Sequence, residues 1–201
     1  EEFSYAEIAQ ILKENDATVA DHFESVSVLF ADVVGFTSLS ARLPPREMVD
    51  LLNEVFSFFD TLADKYDLEK IRTIGDNYMI ASGVPVPRAD HAHALAGMAL
   101  DMVSHVGRHR GGHEVKLRFR LGMNSGPAVA GVIGRRKFQY DLWGDPVNTA
   151  SRMESHGVPG KIQIARPTYD LIKDDFVCVP RGFIEVKGKG QMETWFLEGR
   201  R

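Results

Sequence analysis

The amino-acid sequence predicts a mixed α/β (α+β) domain, in which buried strands alternate with amphipathic helices. The run from Val26 to Phe30 is rich in β-branched and aromatic residues, which is typical of a buried strand. The stretch that begins at Pro44-Pro45 carries apolar residues at spacings of three and four, which indicates a helix with one core-facing side. Residues 115–123 alternate strictly between apolar and basic side chains, so we expect a strand with one face on the core.

Length and composition favour one globular domain. The 201 residues, 44% of them hydrophobic and 26% charged, are enough for a single substantial core. The net charge of −4 argues against binding through bulk positive charge, so we expect no nucleic-acid partner. Cys178 is the single cysteine, which excludes an internal disulfide and favours a packing role in a reducing compartment.

The start of the sequence indicates a segment of a longer protein. The chain begins at Glu1 without a methionine, and it contains no apolar run long enough to span a membrane. We expect residues 1–24 to form an N-terminal linker or signalling helix and residues 25–201 to form the main domain. The narrow apolar stripe of residues 5–14 fits either a signalling helix or a helix that caps its own domain. The expected location is cytoplasmic, and an upstream sensor or membrane domain stays open.

The stretch Ser25–Thr37, SVSVLFADVVGFT, combines a strand, an acid and a glycine turn. Asp32 follows the buried run directly, and a carboxylate there is costly unless it is solvated, paired or bound to a cation. Gly35 allows a sharp turn whose backbone N–H groups can hold phosphate oxygens. This stretch alone fits an acidic surface turn or a metal-phosphate site equally well.

A hairpin is expected after the first long helix. Glu69–Thr73 and Tyr78–Ser82 have strand composition and flank the residues IGDN, which suit a tight turn with Asp76 at its tip. An aspartate in such a turn is usually a turn former. Beside Asp32 on a neighbouring strand it would instead complete a two-carboxylate cation site.

A second amphipathic helix is expected over residues 90–106. His105, His109 and His113 have the four-residue spacing of a metal-binding helix face. The glycines among them interrupt the helix, however, so a solvated helix end is the favoured interpretation.

The basic residues of the alternating segment, Lys116, Arg118 and Arg120, lie on its other face. Their simplest interpretation is a face in contact with water. A separate strand is then expected over Gly126–Gly134.

The segment Gly144–His156 carries explicit helix signals. Asp145 suits the N-cap, and Pro146 suits the first helical position. Asn148 and Arg152 are four residues apart and therefore share one face. Such a pair is often solvent-exposed, but here it follows a turn and fits a cleft.

The last quarter of the chain is predicted to contain strands at residues 161–164, 184–186 and 194–197 and a short helix begun by Pro167. The turn Lys187-Gly188-Lys189-Gly190 fits either a phosphate-binding turn or an ordinary exposed hairpin.

In this order and spacing, the acid-ended strand, the GDN hairpin, the RRKFQYDLWGDPVNTASRME segment and the VKGKG turn closely resemble the catalytic domain of class III nucleotide cyclases. The resemblance runs from about Val26 to Leu197 and is closest to the bacterial, membrane-associated adenylyl type. It implies a ferredoxin-like core related to polymerase palm domains, which works as a head-to-tail homodimer with active sites at the interface.

The resemblance also implies roles for individual residues. Two divalent ions, Mg²⁺ or Mn²⁺, are held by Asp32, Asp76 and the Val33 carbonyl. Asn148 orients the ribose, and Arg152 stabilises the transition state. The remaining matched positions hold the triphosphate, and they are Gly35, Phe36, Thr37, Arg136 and Lys187.

Base selection is implied by two positions. Asp141 matches the family's hydrogen-bond acceptor for the adenine amino group. Arg72 stands at the donor position, where adenylyl cyclases normally have lysine and guanylyl cyclases have glutamate. Arg72 keeps the polarity that adenine needs, but its longer planar head departs from the pattern.

The expected activity is therefore an adenylyl cyclase, which converts ATP to 3′,5′-cyclic AMP and pyrophosphate. One alternative is a cyclase that uses GTP or does not select its base. Another is a catalytically silent domain that binds nucleotide and regulates a neighbour, although this chain keeps the metal aspartates and Arg152, which silent relatives usually lose. A polymerase-like transferase would need a primer-binding feature, and the sequence shows none.

Overall fold

A computed structural model describes residues 19–108, 117–133 and 139–201. Its strands form one sheet in the order β2-β3-β1-β4-β6-β8-β7, with β5 paired to β4. Of the described strand pairs, β4 and β6 run parallel and the others antiparallel. The strands are β1 (Val19–Val33), β2 (Glu69–Ile74), β3 (Asn77–Ser82), β4 (Phe119–Ile133), β5 (Gln139–Trp143), β6 (Ile162–Ala165), β7 (Phe176–Val186) and β8 (Gly190–Arg200).

The described helices connect these strands in a βαββαβ order followed by a C-terminal extension. They are α1 (Phe36–Ser40), α2 (Pro45–Tyr66), α3 (His91–Arg108), α4 (Asp145–Ser155) and α5 (Arg166–Ile172). The strands β1 to β4 lie in the order β4-β1-β3-β2, which is the ferredoxin-like arrangement. The mixed α+β fold predicted from the sequence is thereby confirmed.

Both faces of the central strand β1 are covered. Leu29 packs in the main core with α2 and α3, whereas Val28 and Phe30 pack in a second core with Ala150 of α4. This double burial explains the continuous apolar run in the sequence. Because side chains alternate along a strand, Asp32 projects on the same face as Phe30, the face that α4 covers.

Some predicted boundaries differ from the structure. Strand β1 begins at Val19 and so includes residues 19–24, assigned above to the linker, of which residues 19–23 pair with β4. The two strands expected around Gly126 are one continuous β4. The predicted helix over residues 5–14 lies outside the described residues.

Other local predictions have mixed outcomes. Pro45 is the first residue of α2, as expected. The N-cap of α4 is Gly144, which makes no side-chain capping hydrogen bond, and Asp145 is the first helical residue instead of the predicted N-cap. Cys178 is half-buried against the main core, which confirms its packing role. The ring of His105 stacks on Phe58, while residues 109 and 113 lie outside the described part of the chain.

None of the helices in the described residues combines the length and the apolar character needed to cross a bilayer.

Candidate active site

Asp32 and Asp76 are brought together by the pairing of β1 with β3. Asp32 is the penultimate residue of β1, and its cross-strand partner is Asn77, which directly follows Asp76 in the β2–β3 turn. Burial, followed by the negative charge of Asp32, raises the pKa of Asp76 above its ordinary value. The structure therefore places the two predicted metal aspartates side by side.

Arg120 is a third member of this group, and the sequence interpretation of it as a solvated residue was wrong. It lies opposite Asp32 on β4, and its Nη2 donates to Asp32 Oδ2 at 2.9 Å. Its Nε donates to Glu154 Oε1 at 3.0 Å. Arg118 lies just before β4 begins and is exposed as expected, and residue 116 lies outside the described residues. Arg120 differs because it contacts Glu154 of α4, a contact that alternation along the strand cannot reveal.

Glu154 completes the group from α4. Its side chain is only 7% exposed, and burial together with the charge of Asp32 raises its pKa to about 7, against the opposing effect of Arg120. Glu154 lies four residues after Ala150 and seven after Val147, on the apolar stripe of the helix. An acid at a core position was the sequence signal for this residue, and the sequence analysis missed it.

These four residues, Asp32, Asp76, Arg120 and Glu154, are called the carboxylate cluster below. Their donors fit a hard divalent cation, because carboxylate and carbonyl oxygens are its preferred ligands and Val33 supplies a backbone carbonyl beside Asp32. Among the described residues there is no group of three or more acidic, histidine or cysteine ligands arranged around one point. Two carboxylates leave coordination positions for water and for phosphate oxygens, as Mg²⁺ sites in phosphoryl-transfer enzymes require.

The predicted phosphate turn begins at the end of β1. Gly35 has φ 73°, a left-handed conformation that disfavours other residues, and it caps the short helix α1. The Phe36 side chain packs against the main core, and Thr37 is exposed. Only the backbone of this turn and the Thr37 side chain are therefore free to contact a ligand.

The two positions predicted to select the base contact each other. Arg72 Nη1 donates to Asp141 Oδ2 at 2.5 Å, and the Asp141 side chain is only 4% exposed. The other carboxylate oxygen of Asp141 accepts the Leu142 N–H at 2.9 Å. A bulge between Lys70 and Arg72 sets the register of β2 here, so that Arg72 lies beside Met79 on the α4 face. Arg72 Nε is buried and has no partner among the described residues.

The remaining predicted residues lie on α4 and on the β7–β8 turn. Asn148 and Arg152 are exposed on α4, and Lys187 is exposed on the turn. Lys189 of the same turn contacts Asp145 at the start of α4, a link that the sequence did not reveal. Position 136 lies outside the described residues.

Within one chain the predicted site is divided in two. Among the described residues, no hydrogen bond or ion pair connects the carboxylate cluster with the Arg72–Asp141 pair or with Arg152. The predicted cation-binding residues and the predicted base-selecting residues are thus two separate groups in the described structure.

The fold is an α+β domain in which two aspartates lie side by side at a strand end and the Arg72–Asp141 pair offers a hydrogen-bond donor and an acceptor. These features suit the class of domain that binds a nucleotide together with a metal ion. A family model for the adenylate and guanylate cyclase catalytic domain matches residues 18–199. The chain therefore belongs to the adenylate and guanylate cyclase catalytic domain family.

Relatives of both kinds are similar to this chain. An adenylate cyclase of Mycobacterium tuberculosis is 49% identical over 197 residues, covering 98% of this chain and 44% of the relative. Retinal guanylyl cyclase 1 of Bos taurus is 46% identical over 201 residues, covering 96% of this chain and 18% of the relative. The chain thus spans less than half the length of these relatives.

Solved structures agree with the family assignment. The guanylate cyclase domain of RhGC from Catenaria anguillulae, solved in complex with GTP, superposes with a TM-score of 0.87 at 39% identity. The match covers 90% of this chain and all of that domain.

Proposed function

We propose that this domain is an adenylyl cyclase, which converts ATP to 3′,5′-cyclic AMP and pyrophosphate. The observation that carries the choice of base is the Arg72–Asp141 pair, which supplies both a donor and an acceptor at one place. Adenine offers a ring acceptor at N1 and an amino donor at C6, so it needs both. Guanine would present a carbonyl oxygen where Asp141 offers only lone pairs.

The reaction forms a bond between the ribose 3′ oxygen and the α-phosphorus and breaks the bond from that phosphorus to the bridging oxygen of pyrophosphate. Asp32, Asp76 and the Val33 carbonyl would hold Mg²⁺ or Mn²⁺. Two such ions, when bound, make the 3′ hydroxyl more acidic and neutralise charge on the phosphates. The hydroxyl proton is released as the bond forms, and we assign no protein group to accept it.

The other residues position the substrate and stabilise developing charge. The Gly35–Thr37 backbone, Arg136 and Lys187 would hold the phosphates, and Asn148 would fix the ribose for in-line attack. Arg152 would place a permanently charged planar fork on the transition state. Its exposure on α4, without a described partner, leaves it available for this role.

We propose that the working unit is a homodimer. The carboxylate cluster of one chain and Arg72, Asp141, Asn148 and Arg152 of its twin would form one site, and two-fold symmetry would build a second. The division of these residues into two unconnected halves within one chain supports this arrangement. A single chain is therefore expected to be inactive.

The test is product formation from ATP by the purified protein with Mn²⁺, across a protein dilution series. We expect cyclic AMP and pyrophosphate, with specific activity falling on dilution. Asp32→Ala and Asp76→Ala should abolish turnover without unfolding the domain. Asp170→Ala, which removes an exposed aspartate of α5, is the matched control and should be fully active. Wild-type rates in either cluster variant would remove the site assignment.

A second candidate is a cyclase that uses GTP or accepts both bases. The arginine in place of lysine at position 72 and the 46% identity to a guanylyl cyclase favour it. Turnover on the two nucleotides at equal concentration decides between them, and a clear GTP preference would refute the argument from Arg72 and Asp141.

A silent regulatory domain would behave differently from both. It would bind ATP or GTP but form no cyclic product, even at concentrations at which the protein is dimeric.

A further inference from the structure

Arg120 makes two ion pairs, and they have different surroundings. The pair with Asp32 involves a carboxylate that is 20% exposed, while the pair with Glu154 involves one that is only 7% exposed. The Arg120 guanidinium uses separate donors, Nη2 for Asp32 and Nε for Glu154. One contact can therefore break while the other is kept.

In the carboxylate cluster the acidic groups outnumber the cations that contact them in the described structure. Asp32, Asp76 and Glu154 supply three acidic groups, and Arg120 supplies the one positive charge that contacts them in the described structure. Asp32 Oδ2 accepts from Arg120 at 2.9 Å, so the guanidinium neutralises the carboxylate charge that would attract a divalent ion. A guanidinium and a metal ion therefore compete for this carboxylate.

We propose that Arg120 is an internal competitor for the cation site, and that Glu154 is the positioning residue that retains the Arg120 guanidinium when the ion takes Asp32. This inference rests on the cation site of the proposed function. Glu154 suits the role because α4 is fixed against β4 at this point. A Cβ on Gly122 would lie 1.9 Å from the Glu154 backbone nitrogen, so the helix and the strand are in closest contact there.

Three consequences follow for binding of a divalent ion without nucleotide. Removal of Arg120 removes the competitor and should tighten binding. Loss of the Glu154 charge leaves the guanidinium entirely to Asp32 and should weaken binding. Once Arg120 is absent, Glu154 has nothing to retain, so its substitution should then have little further effect.

The experiment measures, at about pH 8, the Mn²⁺ affinity of the nucleotide-free protein by the electron paramagnetic resonance signal of free Mn²⁺. This pH lies above the Glu154 pKa of about 7, so Glu154 carries its charge. We expect Arg120→Gln to lower the Kd about tenfold and Glu154→Gln to raise it several-fold, since a charge within hydrogen-bond distance in a partly buried site is worth on the order of 1 kcal/mol or more. The double variant should match Arg120→Gln. Arg118→Gln is the matched control, because it removes the same charge two residues earlier, just before β4, from a residue that is not the Asp32 partner, and it should change the Kd little.

Any other outcome of these Mn²⁺ affinity measurements would contradict the inference. An unchanged or higher Kd in Arg120→Gln, or an equal gain in Arg118→Gln, would mean that direct competition is absent. A Glu154→Gln effect of equal size with and without Arg120 would mean that Glu154 acts by its own charge. Unchanged Mn²⁺ binding in Asp32→Ala would instead refute the cation site and with it the proposed function.

A measurement on the wild-type chain guards against variants that do not fold. The Arg120 Nε–H resonance is followed by NMR during titration with diamagnetic Mg²⁺. We expect it to stay protected from exchange with solvent, because its partner is Glu154 and not Asp32. Loss of that protection on Mg²⁺ binding would contradict the proposal.

Discussion

Arg72 and Asp141 neutralise each other before any base arrives, and this shapes how they can select one. Each oxygen of Asp141 already accepts one hydrogen bond, but each has a second lone pair, so the carboxylate can still accept the adenine amino group. The guanidinium of Arg72 keeps donors to spare, including a buried Nε without a described partner. The proposed contact with adenine therefore does not require the two side chains to separate.

The first prediction concerns Arg72→Lys. Lysine keeps a positive donor but presents a compact ammonium instead of a planar fork, so it should keep the ion pair with Asp141 and approach N1 more closely. We expect the ratio of kcat/KM for ATP to that for GTP to stay the same or rise. A shift towards GTP would contradict the donor role of Arg72.

Asp141→Asn tests the proposed hydrogen-bond acceptor in the same way. The substitution keeps the size of the side chain but removes its negative charge, which leaves Arg72 in a partly buried site without a charged partner. We therefore expect kcat/KM for ATP to fall about tenfold or more. If ATP turnover were unaffected, another group would have to contact the adenine amino group.

The second prediction concerns the stability contributed by Glu154. Its pKa rises from 4.5 in the unfolded chain to about 7 in the fold, so between these values the folded state holds a proton that the unfolded state releases. The free energy of unfolding therefore falls as pH rises from about 4.5 to about 7. Glu154→Gln removes this dependence, and over that interval the variant should gain on the order of 2 kcal/mol relative to wild type.

Urea unfolding at several pH values, with chelator present, measures this difference. Other groups titrate in the same interval, including His91, whose burial lowers its pKa, but they are common to both proteins and cancel. Parallel stability curves for the two proteins would mean that Glu154 is not held in its neutral form by the fold.

At the residue scale, the sequence predicted the parts of the site that depend on local pattern. Asp32 ends an apolar run and Asp76 lies in a tight turn, and both signals are contained within a few residues. The environment of Arg120 was predicted wrongly, because alternation shows on which face of a strand a side chain lies but not what packs against that face. Its cover, α4, begins 25 residues later in the chain, at Asp145.

At the scale of elements, the contact between α4 and β4 sets the position of the site. Gly122 allows this contact, since a Cβ there would lie 1.9 Å from Glu154 N and 2.5 Å from Ala150 O. These are backbone atoms of a helix, which cannot yield as a flexible side chain would. The helix that carries Asn148 and Arg152 can therefore lie directly against the strand that carries Arg120 only because position 122 has no side chain.

The third prediction is that Gly122→Ala separates these two elements. We expect it to lower the free energy of unfolding by about 3 kcal/mol or more and to abolish turnover, because overpacking against backbone forces the helix to move. Gly199→Ala in β8 is the matched control, since a Cβ there meets nothing within 4 Å. Thermal unfolding and ATP turnover of both variants provide the test, and equal behaviour of the two would refute the close-contact argument.

Element types were predicted more successfully than their boundaries. The β2–β3 hairpin was found because glycine, aspartate and asparagine together determine a tight turn. The early start of β1 was missed because a bulge between Phe23 and Val26 breaks the alternation of buried residues. The continuity of β4 was missed because Gly126 and Pro127 look like a strand end, although both lie inside the strand.

At the scale of the whole molecule, one chain carries all of the predicted site residues, and those that the structure describes form two separate halves. The ferredoxin-like order of the sheet followed from the resemblance, but no pattern in the sequence shows which halves would meet in the proposed homodimer, because that would depend on a second copy. Symmetric association makes the arrangement testable, since a lesion in one half leaves the other half of the same chain usable.

The fourth prediction uses this property. Asp32→Ala retains Arg152, and Arg152→Ala retains Asp32, so each is inactive alone but a dimer of one chain of each has one intact site out of two. If chains exchange freely in an equal mixture, half of the dimers are mixed, and the activity should recover to about one quarter of the wild-type value. Cyclic AMP formation after co-incubation, compared with the separate variants, measures the recovery.

The matched control mixes Asp32→Ala with Asp76→Ala. Both lesions then fall in the same half, so no pairing of chains restores an intact site and the mixture should remain inactive. Recovery in this control would show that the carboxylates of two chains combine in one site. Lack of recovery in both mixtures, with chain exchange demonstrated by differently tagged proteins, would mean that each chain builds its site alone, and the separation of the two halves within one chain would then have to close by a rearrangement of α4.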